Sequence, residues 1–181
     1  MTPVKHHREP VVTALAVRRA RCADLDALRR FLAGLSLLSA YRRFFAGVRH
    51  VPEQMLRRLV AQDDRRAAFV AVDGEEIVAH AMYAVGPDEV ADIAVVVADA
   101  WQRRGIGPQL IETVMGAARA RGVRRVGFTV LPENQPMRRL AMRSWPDATP
   151  TYVDGALSYQ VTLPDLPLPQ QRSPETGSIA V

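Results

Sequence analysis

The 181-residue chain has one cysteine, Cys22, which excludes an internal disulfide and a cysteine-rich metal site. It has one lysine, Lys5; the other basic residues are arginine, and 24 basic against 19 acidic residues leave a formal charge of +5. No run of 18 apolar residues occurs, so no membrane span is expected. The opening stretch Met1 to Pro10 is polar, holds Lys5, His6, His7 and Arg8, and leads into no long apolar region of signal-peptide type. A cytoplasmic location is expected. The four histidines, His6, His7, His50 and His80, are scattered without metal-ligand spacing, and no metal is expected. The arginine surplus accommodates a phosphorylated ligand, weak nucleic-acid binding, or plain arginine-for-lysine usage. No recognition helix or aromatic platform supports nucleic acid, which ranks last.

What is present is a globular composition, 48% hydrophobic and 24% charged, at a length suited to one domain. Residues 1–10 read as a loose tail. From Leu163 four prolines fall within twelve residues, which no sheet or helix tolerates, so 164–181 reads as a second tail. The ordered domain is expected over 11–163. Val11 to Val17 is a short β-branched strand. Asp24 to Ala33 and Leu37 to Phe45 are helical by spacing, and Pro52 opens a third helix. Three strands follow, Ala67 to Val72, Glu76 to Val85 and Glu89 to Val97, joined at Asp73-Gly74 and Gly86-Pro87-Asp88. Gly105 to Ala120 is an amphipathic helix stopped by Gly122. Then come a strand (Val123 to Leu131), a short helix (Asn134 to Arg143) and a hairpin, Thr149 to Val153 and Ala156 to Leu163, turning at Asp154-Gly155. This order predicts an α/β fold with a mixed, mostly antiparallel sheet of six to seven strands.

The chemistry signal is the stretch from Ala91 to Gly107. A hydrophobic strand ends, a short loop follows, and Gly105 and Gly107 open a helix. The first helical turn has unpaired amide protons and a partial positive charge. Glycine lets a phosphate approach that backbone, and Arg103 and Arg104 add charge. The expected ligand is a pyrophosphate or another polyanion. No Gly-Lys-Ser/Thr follows, so this is not a P-loop; the third glycine of a dinucleotide fingerprint is also missing.

Residues 89–143 resemble the GNAT superfamily of N-acetyltransferases. Gln102-Arg103-Arg104-Gly105-Ile106-Gly107 matches its Gln/Arg-x-x-Gly-x-Gly/Ala signature. The resemblance implies acetyl-CoA as cosubstrate, with Gln102, Arg103, Arg104, Gly105, Ile106 and Gly107 around its pyrophosphate. It also implies a strand that splays from its parallel neighbour, with main-chain contacts from Val95, Val96 and Val97 to the pantetheine arm and a further contact from Asn134. The segment Leu35 to Phe45 looks like the bacterial protein-lysine acetyltransferase subgroup. Two departures stand out. Pro108 deletes one amide beside the phosphates. Leu140-Ala141 replaces the Leu-Tyr pair whose tyrosine is a proposed acid for the departing thiolate, and Ser144-Trp145-Pro146 replaces a usual Gly-Phe.

The implied reaction is acetyl transfer to a primary amine, of a protein lysine or a small molecule, by direct attack with a carboxylate base. Asp92 is the first candidate base, Glu89 the second; simple alternation puts them on opposite faces, and a bulge would bring them to one. His80 is expected to pack with one ring nitrogen bonded, and Cys22 to be incidental. Most of the stripe Leu38, Tyr41, Phe44 and Phe45 is expected in the core, with Arg42, Arg43 and Arg49 in solvent. Tyr152 and Tyr159 read as packing residues or as substitutes for the absent tyrosine. Trp145 reads either as an acceptor-pocket wall or as a core plug. The alternative function is a non-catalytic acyl-CoA-binding sensor of the same fold. A homodimer is left open.

Overall fold

A computed structural model describes residues 15–46 and 51–163 of the chain. The expected tails 1–10 and 164–181, with His6, His7, Arg49 and His50, lie outside the described residues. One seven-stranded sheet organises the rest, in the order β1-β2-β3-β4-β5-β7-β6. Its strands are β1 (Ala16–Arg19), β2 (Arg66–Asp73), β3 (Glu76–Val85), β4 (Val90–Val97), β5 (Arg125–Val130), β6 (Thr151–Val153) and β7 (Ala156–Thr162). Only β4 and β5 run parallel; every other neighbouring pair is antiparallel. The fold is the α/β mixed sheet that the element order predicts. Among the described residues no helix is long and apolar enough to cross a membrane.

Helices cover the sheet unequally. On one face lie α1 (Leu25–Ala33), α2 (Leu37–Phe44) and α3 (Glu53–Val60). Leu28, Phe31, Leu56 and Leu59 pack there on Val70, Val72 and Val96. On the other face α4 (Ile106–Ala120) sets Ile106, Leu110, Ile111, Val114 and Ala118 against Ala79, Ala81, Ala91 and Val126. These α4 positions follow the 3.6-residue period, and the facing strand residues are small, so the helix lies close to the sheet. The last helix, α5 (Gln135–Ser144), covers β5 through Ala141 and Met137.

Several boundaries differ from the sequence expectation for identifiable reasons. The first strand is Ala16–Arg19 rather than Val11 to Val17, and residues 11–14 lie outside the described ones. It is an edge strand, so it accepts Arg18 and Arg19; Arg18 makes two 2.7 Å hydrogen bonds to the Asp24 carboxylate. The β2–β3 hairpin turns at Gly74-Glu75, one residue later than expected, because Asp73 still pairs with Glu76; a bulge at Ala71/Val72 precedes it. Pro52 sits just ahead of α3 as its N-cap.

The larger departure is α2. Leu37, Leu38, Tyr41 and Phe45 are exposed, not core, while Ser39 and Ala40 are buried and Arg42 and Arg43 are half-buried. The helix turns its polar face inward. Tyr159 is core, stacked on Phe128 with ring centroids 4.9 Å apart, whereas Tyr152 is exposed.

His80 is buried on β3, and its Nε2 lies 2.8 Å from the Leu59 carbonyl oxygen. Burial, reinforced by the positive charge of Arg43, pushes its pKa down to about 4, although the Leu59 bond pulls the other way. The neutral ring therefore donates from Nε2. The folded state resists protonation that the unfolded chain accepts below about pH 6.5. Stability is therefore expected to fall as pH drops from about 6.5 toward 4. Urea unfolding at pH 7 and pH 5 should show this loss, and His80→Gln, which keeps a donor for Leu59 but cannot ionise, should flatten it. An unchanged slope in the variant would assign the loss to other groups.

Candidate active site

The site begins where sheet pairing stops. β3 pairs with β4 as far as Ala79↔Val97, but β4 pairs with β5 only at Val90↔Arg125, Ala91↔Val126 and Asp92↔Gly127. Beyond Asp92 the β5-facing edge of β4 has no strand partner, while β5 stays paired with β7 along its whole length. Phe128, one residue past the last parallel pair, packs between Tyr159 and Trp145 and so belongs to the β5–β7–α5 side. A cleft of about 680 Å³ opens between the diverging strands. Trp145 both lines it and packs on Phe128, centroids 5.0 Å apart.

At one end lies the loop into α4. Arg103 (φ +62°) and Gly105 (φ +82°) adopt left-handed backbone, unusual for arginine. The amides of residues 103–107 donate to no backbone acceptor among the described residues. Pro108 falls in the first helical turn, where it costs no helix bond but removes an amide from this set. Gly107 has no φ requirement, and an added Cβ would meet only Val97 Cγ2 at 3.9 Å. Its missing side chain leaves room beside the free amides, so the residues present fit a phosphate group. Val95, Val96, Val97, Arg103, Gly105 and Gly107 line this cleft, as do Ile106, Gln102 and Asn134. Arg104 does not; its guanidinium lies 4.8 Å above the Trp101 ring.

Two of these side chains already have structural partners. Gln102 Nε2 donates to Ser39 Oγ and to the Val97 carbonyl, both at 3.1 Å. Asn134 caps α5 by accepting from the Met137 amide. Asp99, missed in the sequence, accepts from the Ser36 amide (2.9 Å), Ser36 Oγ (2.7 Å) and Ser39 Oγ (2.8 Å), tying α2 to the loop. Desolvation pushes its carboxyl up, but these bonds together hold it below the usual carboxylate range.

At the other end is Asp92. Asp92 is exposed and lines the cleft, and partial desolvation by the surrounding protein raises its pKa despite the opposing charge of Arg43. Asp92 also borders a second hollow of about 210 Å³ on the β4–β5–β7 surface, shared with Thr129 and Gln160. Glu89 is not at the site. It sits in the turn before β4 with φ +58°, bonded to Arg65 at 2.8 Å, so no bulge aligns it with Asp92. Arg42 and Arg43, expected in solvent, line the cleft instead. Burial pushes Arg43 down to about 10, with Asp92 acting in the opposite sense. The signal for them was the spacing Ser39, Arg42, Arg43, one face of α2. Leu140 lines the cleft, whereas Ala141 is buried under α5; neither Tyr152 nor Tyr159 lines it.

A profile of the Acetyltransferase (GNAT) family matches residues 32–144, more than half the chain. The chain belongs to this family. Among solved structures it is similar to the GNAT domain of PAT from S. lividans, at 29% identity and TM-score 0.76, covering 82% of this chain and 90% of that one. It is also similar to a cAMP-binding acyltransferase from Mycobacterium smegmatis (25%, TM-score 0.56), covering 83% of this chain but 44% of that protein. A GNAT protein from Kribbella flavida shares the fold at 23% identity, TM-score 0.65, with 83% and 98% covered.

If the free amides hold phosphate in this GNAT chain, bulk at position 107 blocks them. Gly107→Trp is expected to weaken acetyl-CoA binding by ~100-fold or more while the protein still unfolds cooperatively, measured by calorimetric titration and thermal melting. Unchanged affinity in the folded variant would remove the loop from the phosphate role.

Proposed function

We propose that this GNAT-family protein moves an acetyl group from acetyl-CoA to a primary amine by direct attack, with Asp92 as the base. The observation that carries this reading is the placing of one carboxylate, Asp92, in the same cleft as the free-amide loop. In this reading the amides of 103–107, with Arg103, hold the pyrophosphate. The unpaired edge of β4 at Val95 to Val97 takes the pantetheine arm, and Asn134 contacts it. Bound there, acetyl-CoA supplies the activated acyl carbon.

The residues then do simple work. The two substrates are held side by side, which supplies much of the rate. The amine nitrogen attacks the thioester carbon, and a β4 backbone N–H near Val96 donates a hydrogen bond to the developing oxyanion. Asp92 accepts the proton that the nitrogen sheds, directly or through water, as the carbon–sulfur bond breaks. The ionised carboxylate is the form that accepts. The departing thiolate takes its proton from water, since no tyrosine of this chain lines the cleft.

Similarity to the GNAT domain of S. lividans PAT, together with the Leu35 to Phe45 segment, supports the protein-lysine acetyltransferase subgroup. A second reading, a non-catalytic acyl-CoA sensor, draws on Pro108 and Ala141.

Coenzyme A release with an amine panel separates the two. Asp92→Asn is expected to lower kcat by ~100-fold or more and to remove the acid limb of its pH profile, with acetyl-CoA affinity kept. That limb lies above the ordinary carboxylate pKa of about 3.9, because burial favours the protonated form. Wild-type kcat at every pH in Asp92→Asn would remove the base role; no turnover of any amine by wild type that binds acetyl-CoA would favour the sensor.

A further inference from the structure

The acceptor end of the cleft carries more positive charge than one amine substrate explains. Among the described residues, the charged ones lining the cleft are Arg42, Arg43, Arg103 and Arg143 against the single carboxylate of Asp92. Arg103 belongs to the phosphate loop, and Arg143 donates from Nε to the Arg139 carbonyl of its own helix. Arg42 and Arg43 have no such assignment. The Nε–H of each is buried and has no hydrogen-bond partner. The Arg119 Nε–H, away from the cleft, is in the same state, so what sets Arg42 and Arg43 apart is that both line the cleft and neither enters an ion pair among the described residues.

The surroundings restrict that acceptor. Arg43 and Asp92 face the same space and feel each other's charge, yet neither takes part in any ion pair among the described residues. A gap separates them. Arg43 instead lies over the Phe44 ring at 5.0 Å, which fixes its plane without using its N–H groups. Ser39, one turn earlier on α2, is bonded to Gln102 and Asp99 at the loop, whereas Arg43 is the arginine whose charge acts on Asp92. Paired arginines present planar N–H forks that match a carboxylate.

We propose that Arg42 and Arg43 form an anion subsite and that the acceptor is a primary amine carrying a carboxylate close to it. The amine sits on Asp92 and the carboxylate bridges to the two guanidinium groups, so the acceptor fills the gap with charges of both signs. This rests on the cleft being the acetyltransferase site. Two sources supply the chemistry: a free amino acid, or a lysine with an aspartate or glutamate beside it in a peptide.

The test uses the full chain and matched acceptors. Lysine is compared with cadaverine, glutamate with 4-aminobutyrate, and a Glu-Lys-Glu peptide with its Gln-Lys-Gln counterpart. Coenzyme A release gives kcat/KM, and calorimetry in the presence of coenzyme A gives affinity independently of turnover. The member with its carboxylate near the reacting amine is expected to win by on the order of tenfold in at least one arm. The winning arm identifies the source. Arg42→Gln and Arg43→Gln should abolish the preference, Arg43→Lys should restore part of it, and thermal melting reports folding. A preference absent from every arm, or surviving in the doubly substituted folded protein, overturns the subsite. Arginine-dependent binding of the carboxylate-bearing amine without turnover would support the subsite and overturn the proposed activity.

Discussion

Everything at the site depends on three residue pairs. β4 and β5 are joined at Val90, Ala91 and Asp92 and nowhere beyond. A longer ladder would close the cleft, and a shorter one would let the two halves of the sheet drift apart. The last pair, Asp92↔Gly127, puts the acidic side chain at the fork itself. Gly127 is crowded there: an added Cβ would come within 3.2 Å of Val90 Cγ1. The missing side chain at Gly127 leaves Val90 its room at the fork, and pairing stops immediately afterward, where Phe128 packs against Trp145 and Tyr159. Backbone hydrogen bonding thus decides where a carboxylate can stand next to an unpaired strand edge.

Much of this was legible in the chain. The long apolar period of α4, the turn residues at Asp154-Gly155 and the glycine pair before α4 each follow from local chemistry, and the sheet that they predict is the one observed. Long-range partnerships were not legible. Nothing near Asp99 announces hydrogen bonds to Ser36 and Ser39, 63 and 60 residues away. Glu89 and Asp92 could be separated only once the turn was seen to end before Val90, with Glu89 held by Arg65.

The α2 helix shows why pattern reading fails at a functional site. Hydrophobic periodicity identifies the buried face only when the interior is apolar. Here the interior side of α2 is the cleft, so Ser39 and Arg43 turn in and Leu38 and Tyr41 turn out. The apolar stripe was read correctly as one side of a helix and assigned to the wrong environment. The same reversal left Arg42 and Arg43 out of the expected site, although their spacing from Ser39 carried the information.

The Asp99 carboxylate grips α2 at one end only. Its partners are Ser36 and Ser39, in the cap and first turn, while the far end finishes at Phe45 in left-handed backbone. The far end is held differently: Phe44 packs against the core cluster of α1 and α3. One helix is thus fixed by directional hydrogen bonds where the glycine loop begins and by non-directional apolar contact where the arginines stand.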